Sequence, residues 1–228
     1  MSFIKSCENN IFVERFPGSA GVEVIYVPGH KEIPYEKYKA PKIKDFCVRN
    51  GIPFTWFDYM GYGKSDGEKS VWQLTEWLQN LTDVVDASPY KKQILVGYSM
   101  GGYLMLAEAL LRPQNIKGMF GFSPGFGKSF QMLSSVSFIA DKDGKIKIDI
   151  KNTAGFNYID QNLDITCPVQ FLFSYDDESV DIKSADYLRN SIAKAAVMKV
   201  RSIGHAMEND DLIGLCNDFI RLATGFVK

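Results

Sequence analysis

The run QILVGYSMGGYLML, residues 93–106, changes character within five residues. It starts as an apolar strand (Gln93 to Val96), passes through Gly97-Tyr98-Ser99-Met100-Gly101, and continues as the apolar helix start MGGYLMLAEALL. A turn this sharp forces the serine into a strained backbone, and glycines two before and two after it let the chain pass itself. The turn holds the hydroxyl at a strand's carboxyl edge and a helix's N-terminus, where partial positive charge favours an oxyanion. The amide of Met100 is one donor for that oxyanion.

The pattern occurs twice. Gly121-Phe122-Ser123-Pro124-Gly125 also matches Gly-x-Ser-x-Gly, but Pro124 stands where Met100 stands in the first match. Proline has no N–H, so the second site lacks the oxyanion donor. Ser99 is therefore the candidate nucleophile, and GFSPG is a strand-end loop.

Outward from residues 93–106, short β-branched and aromatic runs alternate with longer amphipathic stretches. The runs are 22–27, 52–59, 93–98, 116–122, 169–175 and 197–203; helices are expected at 35–49, 72–87, 100–112, 179–195 and 209–223. Most of the runs are almost continuously apolar, which suits strands covered on both faces of a parallel sheet. NNIFVERF (9–16) reads as an antiparallel strand leading into the first parallel run through a tight turn. The whole is an α/β sheet with right-handed crossovers, one domain over residues 1–228.

One segment, about 124–166, breaks the rhythm. It holds an expected helix, FGKSFQMLSS, and a hairpin, SFIADKDGKIKID, turning at Asp143-Gly144. It carries Phe126, Phe130, Met132, Leu133, Phe138, Phe156 and Tyr158, which should cover something apolar: the core's rim or a bound apolar chain. Leaving the sheet at the edge where Ser99 emerges, it is expected to border the site as a lid-like insertion, with Phe130 and Met132 against substrate. A solvated, decorative hairpin is the competing reading.

Composition closes off several classes. A net charge of −1 with no basic block gives nucleic acid no electrostatic purchase. Cys7, Cys47, Cys167 and Cys216 are scattered, with no metal-ligand spacing, and read as free, buried thiols of a reducing compartment. The first residues, MSFIKSCENN, lack the apolar run of a signal peptide, and no apolar stretch is long enough to span a membrane. A cytoplasmic protein is expected. GYGKS (61–65) does not carry its Gly-Lys-Ser at the spacing a phosphate-binding loop requires after the first glycine.

A serine nucleophile needs a base, and the chain has two histidines. His205, in SIGHAM, follows the last strand; His30, in YVPGHKE, follows the first parallel one. Only His205 fits the chain order nucleophile, acid, histidine. The acid lies in VQFLFSYDDESVD, where Asp176 and Asp177 compete, with Glu178 one step further. Either aspartate could instead cap the helix that begins near Ser179.

These residues resemble the α/β-hydrolase superfamily over essentially the whole chain. GYSMGG (97–102) is similar to its nucleophile elbow, FDYMGYGKSDG (57–67) to its Asp-x-x-Gly-x-Gly-x-Ser-Asp-Gly loop, and FSYDDESV with GHAM to its acid loop and terminal histidine. The resemblance implies the α/β-hydrolase fold, a mainly parallel sheet with helices on both faces. It also implies an acid three residues before the loop's valine, hence Asp177 rather than Asp176. Within the superfamily the chain resembles the small depalmitoylating and acyl-glucuronide-cleaving esterases, most densely along DFCVRNGIPFTWFDYMGYGKSDG. Many members have His-Gly after the first parallel strand; here Pro28-Gly29-His30 keeps Gly29 and offers the His30 amide as second oxyanion donor.

The expectation is a serine hydrolase with the triad Ser99, His205 and Asp177, oxyanion donors Met100 and His30, and Gly29, Tyr98, Phe130 and Met132 around an acylated or small-molecule substrate. It needs no metal and no organic cofactor. Amide hydrolysis on the same triad is an alternative. A non-catalytic binding protein of the same fold is another, although such relatives typically lose a triad member.

Overall fold

The computed structural model describes residues 1–68, 74–125, 137–140, 146–149 and 163–225. An eight-stranded sheet runs β1 (Ser2–Ser6), β2 (Asn9–Phe16), β4 (Phe54–Phe57), β3 (Glu23–Val27), β5 (Gln93–Tyr98), β6 (Ile116–Phe122), β9 (Val169–Ser174) and β10 (Ala195–Val200). From β4 to β10 every pairing is parallel; β1 and β2 form an antiparallel edge. The two remaining strands, β7 (Ser137–Ala140) and β8 (Ile146–Asp149), make a separate antiparallel hairpin.

Five helices flank the sheet among the described residues. They are α1 (Lys39–Arg49), α2 (Leu74–Asp86), α3 (Met100–Leu111), α4 (Lys183–Ser191) and α5 (Asp210–Thr224). The apolar runs feed two separate cores because successive strand side chains point to opposite faces. Val24, Tyr26, Ile94, Val96, Phe120 and Phe122 pack with α1 and α5. Ile25, Val27, Leu95, Met119, Phe171 and Phe173 pack with α2, α3 and α4. A continuous apolar strand is the sequence mark of that double coverage.

Three details differ from the expectation. Ser2–Ser6 is a strand, joined to β2 by a two-residue turn in which Cys7 and Glu8 have φ of 47° and 65°. Such a turn demands positive φ at both positions and is ordinarily marked by Asn-Gly, a signal Cys-Glu does not carry. The turn leaves Cys7 exposed, whereas the other three cysteines are buried. Second, β2 pairs with β1 and β4, not with the strand it leads into. Third, α4 stops at Ser191, and Ala195-Ala196, which favour helix locally, pair with Val169-Gln170 in β10. Tertiary pairing overrides propensity there.

Glu108 of α3 is fully buried against α2, accepting a hydrogen bond from the Thr82 hydroxyl at 2.6 Å, with Arg112 Nε 3.6 Å away. Burial pushes its carboxyl from 4.5 to about 7, against the opposing pull of Thr82 and Arg112. The folded state thus holds this proton more tightly than the unfolded chain. The stabilisation is full below the unfolded value and is lost as pH rises through the folded one. Unfolding in urea at pH 5 and pH 8 should therefore show Glu108→Gln gaining on the parent by on the order of 3 kcal/mol across that interval. A difference that does not change with pH would mean that the carboxylate is charged throughout.

Candidate functional site

Ser99 joins β5 to α3 with φ 50° and ψ −117°, a conformation an L-residue adopts only when its surroundings impose it. What imposes it is close packing. A Cβ on Gly101 would lie 2.0 Å from the Val27 carbonyl oxygen, so only glycine lets the first turn of α3 pass over β3. Ser99 does not cap α3 with its side chain. Its hydroxyl instead meets His205, with Nε2 3.0 Å from Oγ. The other imidazole nitrogen, Nδ1, is 2.9 Å from Asp177 Oδ2.

Three loops at the carboxyl edge of the sheet thus bring Ser99, His205 and Asp177 into one line, although 106 and 28 residues separate the two contacting pairs. The Asp177 side chain is 1% exposed and that of His205 is 23% exposed, so the line runs from the interior to an accessible end. Burial pushes the Asp177 carboxyl up, but hydrogen bonds from His205, Ser123 and the Val180 amide outweigh it and hold the group below the usual carboxylate range. Its Oδ1 accepts the amides of Ser179 at 2.7 Å and Val180 at 2.8 Å. Asp176 is turned elsewhere: its Oδ2 accepts the Ser202 amide.

Supporting groups tie the loops together. The Ser174 hydroxyl, at the end of β9, accepts the amides of both Asp176 and Gly204, linking acid loop to histidine loop. Glu32 is buried and accepts the Gly29 amide at 2.6 Å and the Tyr26 hydroxyl at 2.9 Å, which fixes the loop carrying His30. Burial raises the Glu32 carboxyl despite the nearby Lys39 charge. Lys39, also buried, donates to the Ala206 carbonyl at 2.7 Å and sits 3.7 Å over the Tyr98 ring. The Tyr98 ring lies 5.2 Å from the His205 imidazole. Tyr98 is therefore a wall of the histidine, with Gly29 close beneath it: a Cβ on Gly29 would come 2.7 Å from Tyr98 Cδ1.

Met100 is buried directly behind Ser99. His30 is half-buried beside Tyr62 and Trp77, at ring distances of 6.2 and 6.0 Å. Burial lowers its imidazole, helped by the Lys31 charge. Phe130 and Met132 lie outside the described residues, as does the turn at Asp143-Gly144; of the insertion's expected hairpin, the two strands pair as β7 and β8.

Glu32, Lys39, Ser174 and the contact of Ser123 with Asp177 were beyond sequence reasoning. Lys39 alone left a trace, since it shares the buried stripe of Ile43 and Phe46 at positions i, i+4 and i+7. A lysine on an apolar stripe marks a charge with a buried partner.

Comparison with known proteins agrees with the architecture. The family Hydrolase_4, described as serine aminopeptidase, S33, matches residues 24–154, more than half of the chain. The rat palmitoyl-protein thioesterase ABHD10, mitochondrial, is 30% identical over 200 residues, covering 79% of this chain and 67% of that protein. The mouse α/β-hydrolase domain-containing protein 10 superposes with a TM-score of 0.78 at 25% identity, covering 96% of both chains. Est1E from Butyrivibrio proteoclasticus, solved with ferulic acid, shares the fold with a TM-score of 0.76 at 16% identity, over 99% of this chain and 97% of that one. No helix among the described residues is long and apolar enough to cross a membrane. The chain belongs to the Hydrolase_4 family of α/β-hydrolase enzymes, on the branch of the ABHD10 proteins.

Proposed function

We propose that the protein hydrolyses carboxylic esters or thioesters through an acyl-enzyme on Ser99. The observation that carries this reading is the unbroken line of Ser99 Oγ, the His205 imidazole and Asp177 at 3.0 and 2.9 Å. His205 Nε2 takes the hydroxyl proton as Oγ attacks the acyl carbon. Nδ1–H stays on Asp177, whose carboxylate stabilises the imidazolium. The tetrahedral oxyanion is held by the amides of Met100 and His30. As the intermediate collapses, His205 gives its proton to the leaving alcohol or thiol. Water, deprotonated by the same imidazole, then releases the acid and restores Ser99.

The catalytic unit is the single domain 1–228, with 124–166 as an insertion over the acyl site. The ABHD10 relatives favour an acylated substrate, either a small molecule or an S-acylated protein. Free thiols at Cys7, Cys47, Cys167 and Cys216 suit work in a reducing compartment such as the cytoplasm.

A fluorophosphonate should label Ser99, and p-nitrophenyl esters of rising chain length, an acyl-thioester and a p-nitroanilide should rank the chemistry. Esters or thioester well ahead of the anilide is the expected order; the reverse would favour an amidase. Phe130→Ala or Met132→Ala should shift the chain-length preference by about 1–3 kcal/mol in kcat/KM. A flat profile would make the insertion decoration and move the acyl pocket toward His30 and Tyr98.

A further inference from the structure

The second Gly-x-Ser-x-Gly match does not lie idle. Ser123 directly follows β6 and has φ 43°, a positive value that it shares with Ser99. It is completely buried, and its hydroxyl donates to Asp177 Oδ2, the same oxygen that accepts from His205 Nδ1. The backbone around it grips the first serine. The Ser99 amide donates to the Phe122 carbonyl at 3.0 Å, and the Gly125 amide donates to the Ser99 carbonyl at 2.7 Å. Pro124 presses against the start of α3 so closely that a Cβ on Gly102 would lie 2.4 Å from its own. The Ser123 amide donates to Leu172 on β9, the strand that ends just before the acid loop.

The geometry points to Ser123 as a positioning residue, which holds the Asp177 carboxylate in line with His205 while its loop holds Ser99. This rests on the triad reading above. Four donors then surround one carboxylate: the amides of Ser179 and Val180 on Oδ1, and Ser123 and His205 on Oδ2. With three of them contributed by fixed protein groups, the carboxylate cannot turn its accepting edge away from the imidazole. Without Ser123, one side of Oδ2 has no partner, and the carboxyl gains freedom to rotate. The Ser123 hydroxyl faces the Asp177 carboxylate, a far weaker base than the imidazole that faces Ser99.

The test is a double-mutant cycle on an activated ester, with folding checked by thermal melting. Ser123→Ala should lower kcat by roughly 10- to 100-fold, the scale of one hydrogen bond to a charged group, with KM within about twofold. In an Asp177→Asn background the same change should cost almost nothing further, because the group it positions is already lost. Should the alanine variant melt early, Ser123→Cys keeps the shape with a much weaker donor and should show the same loss. Wild-type turnover in the Ser123 variants, beside a crippled Asp177→Asn, would overturn the positioning role and leave the triad standing. An equal loss in both backgrounds would also overturn it, as the mark of a general structural effect. A fully active Asp177→Asn would overturn the triad, and this role with it.

Discussion

Ser99→Ala is expected to cut kcat on an activated ester by on the order of 10⁴- to 10⁶-fold, leaving only what oxyanion donors and substrate binding supply without a nucleophile. The fold should persist. The strained φ of 50° is imposed by the packing of Gly101 over Val27 and by the Phe122 and Gly125 hydrogen bonds, none of which involves the hydroxyl. Melting within a few degrees of the parent, loss of fluorophosphonate labelling and loss of turnover would together identify the nucleophile. Ser123→Ala should keep both its label and measurable turnover. If instead Ser123→Ala is the dead variant and Ser99→Ala turns over, the two motifs have exchanged roles.

The strained strand-to-helix turn at Ser99 was legible in the sequence because its determinants are local. The sterics of a strand-to-helix turn act within five residues, and Gly97, Ser99 and Gly101 display them without any partner being known. The parallel strands were legible for a related reason: burial on both faces writes a continuous apolar run. What escaped was non-local or unsigned. The β1–β2 turn uses Cys7 and Glu8 in place of the usual turn residues, so nothing announced it. The Ser123–Asp177 contact joins residues 54 positions apart, and the Lys39–Ala206 bond joins residues 167 apart. Asp177 is instructive. Capping a helix and orienting a histidine looked like competing employments for an aspartate, and only family resemblance favoured Asp177. In the structure α4 starts only at Lys183 and has no side-chain cap, so the Oδ1 of Asp177 accepts the loop amides of Ser179 and Val180 while its Oδ2 faces His205.

That division of labour sets the second large effect. Asp177→Asn should lower kcat by on the order of 10⁴-fold, because the side chain keeps its shape but gains two N–H donors. With Oδ1 committed to two amide donors, the asparagine carbonyl takes that side and its NH₂ faces His205. Two donors cannot share that contact, so the imidazole adopts the tautomer that leaves Nδ1 bare and puts the proton on Nε2, facing Ser99 Oγ. A nitrogen already protonated cannot act as the base. Asp176→Asn should cost less than about tenfold, since its exposed carboxyl accepts the Ser202 amide, which an amide oxygen can also accept. Asp177→Asn should also differ from the parent in its pH dependence of stability. Asp177 has its carboxyl held below the ordinary range, so its contribution is present above the unfolded value and disappears as pH falls through the folded one. The stability lost in Asp177→Asn should therefore be larger at pH 7 than near pH 3. Equal and mild kinetic losses at both positions would put the acid elsewhere and break the line drawn from Ser99.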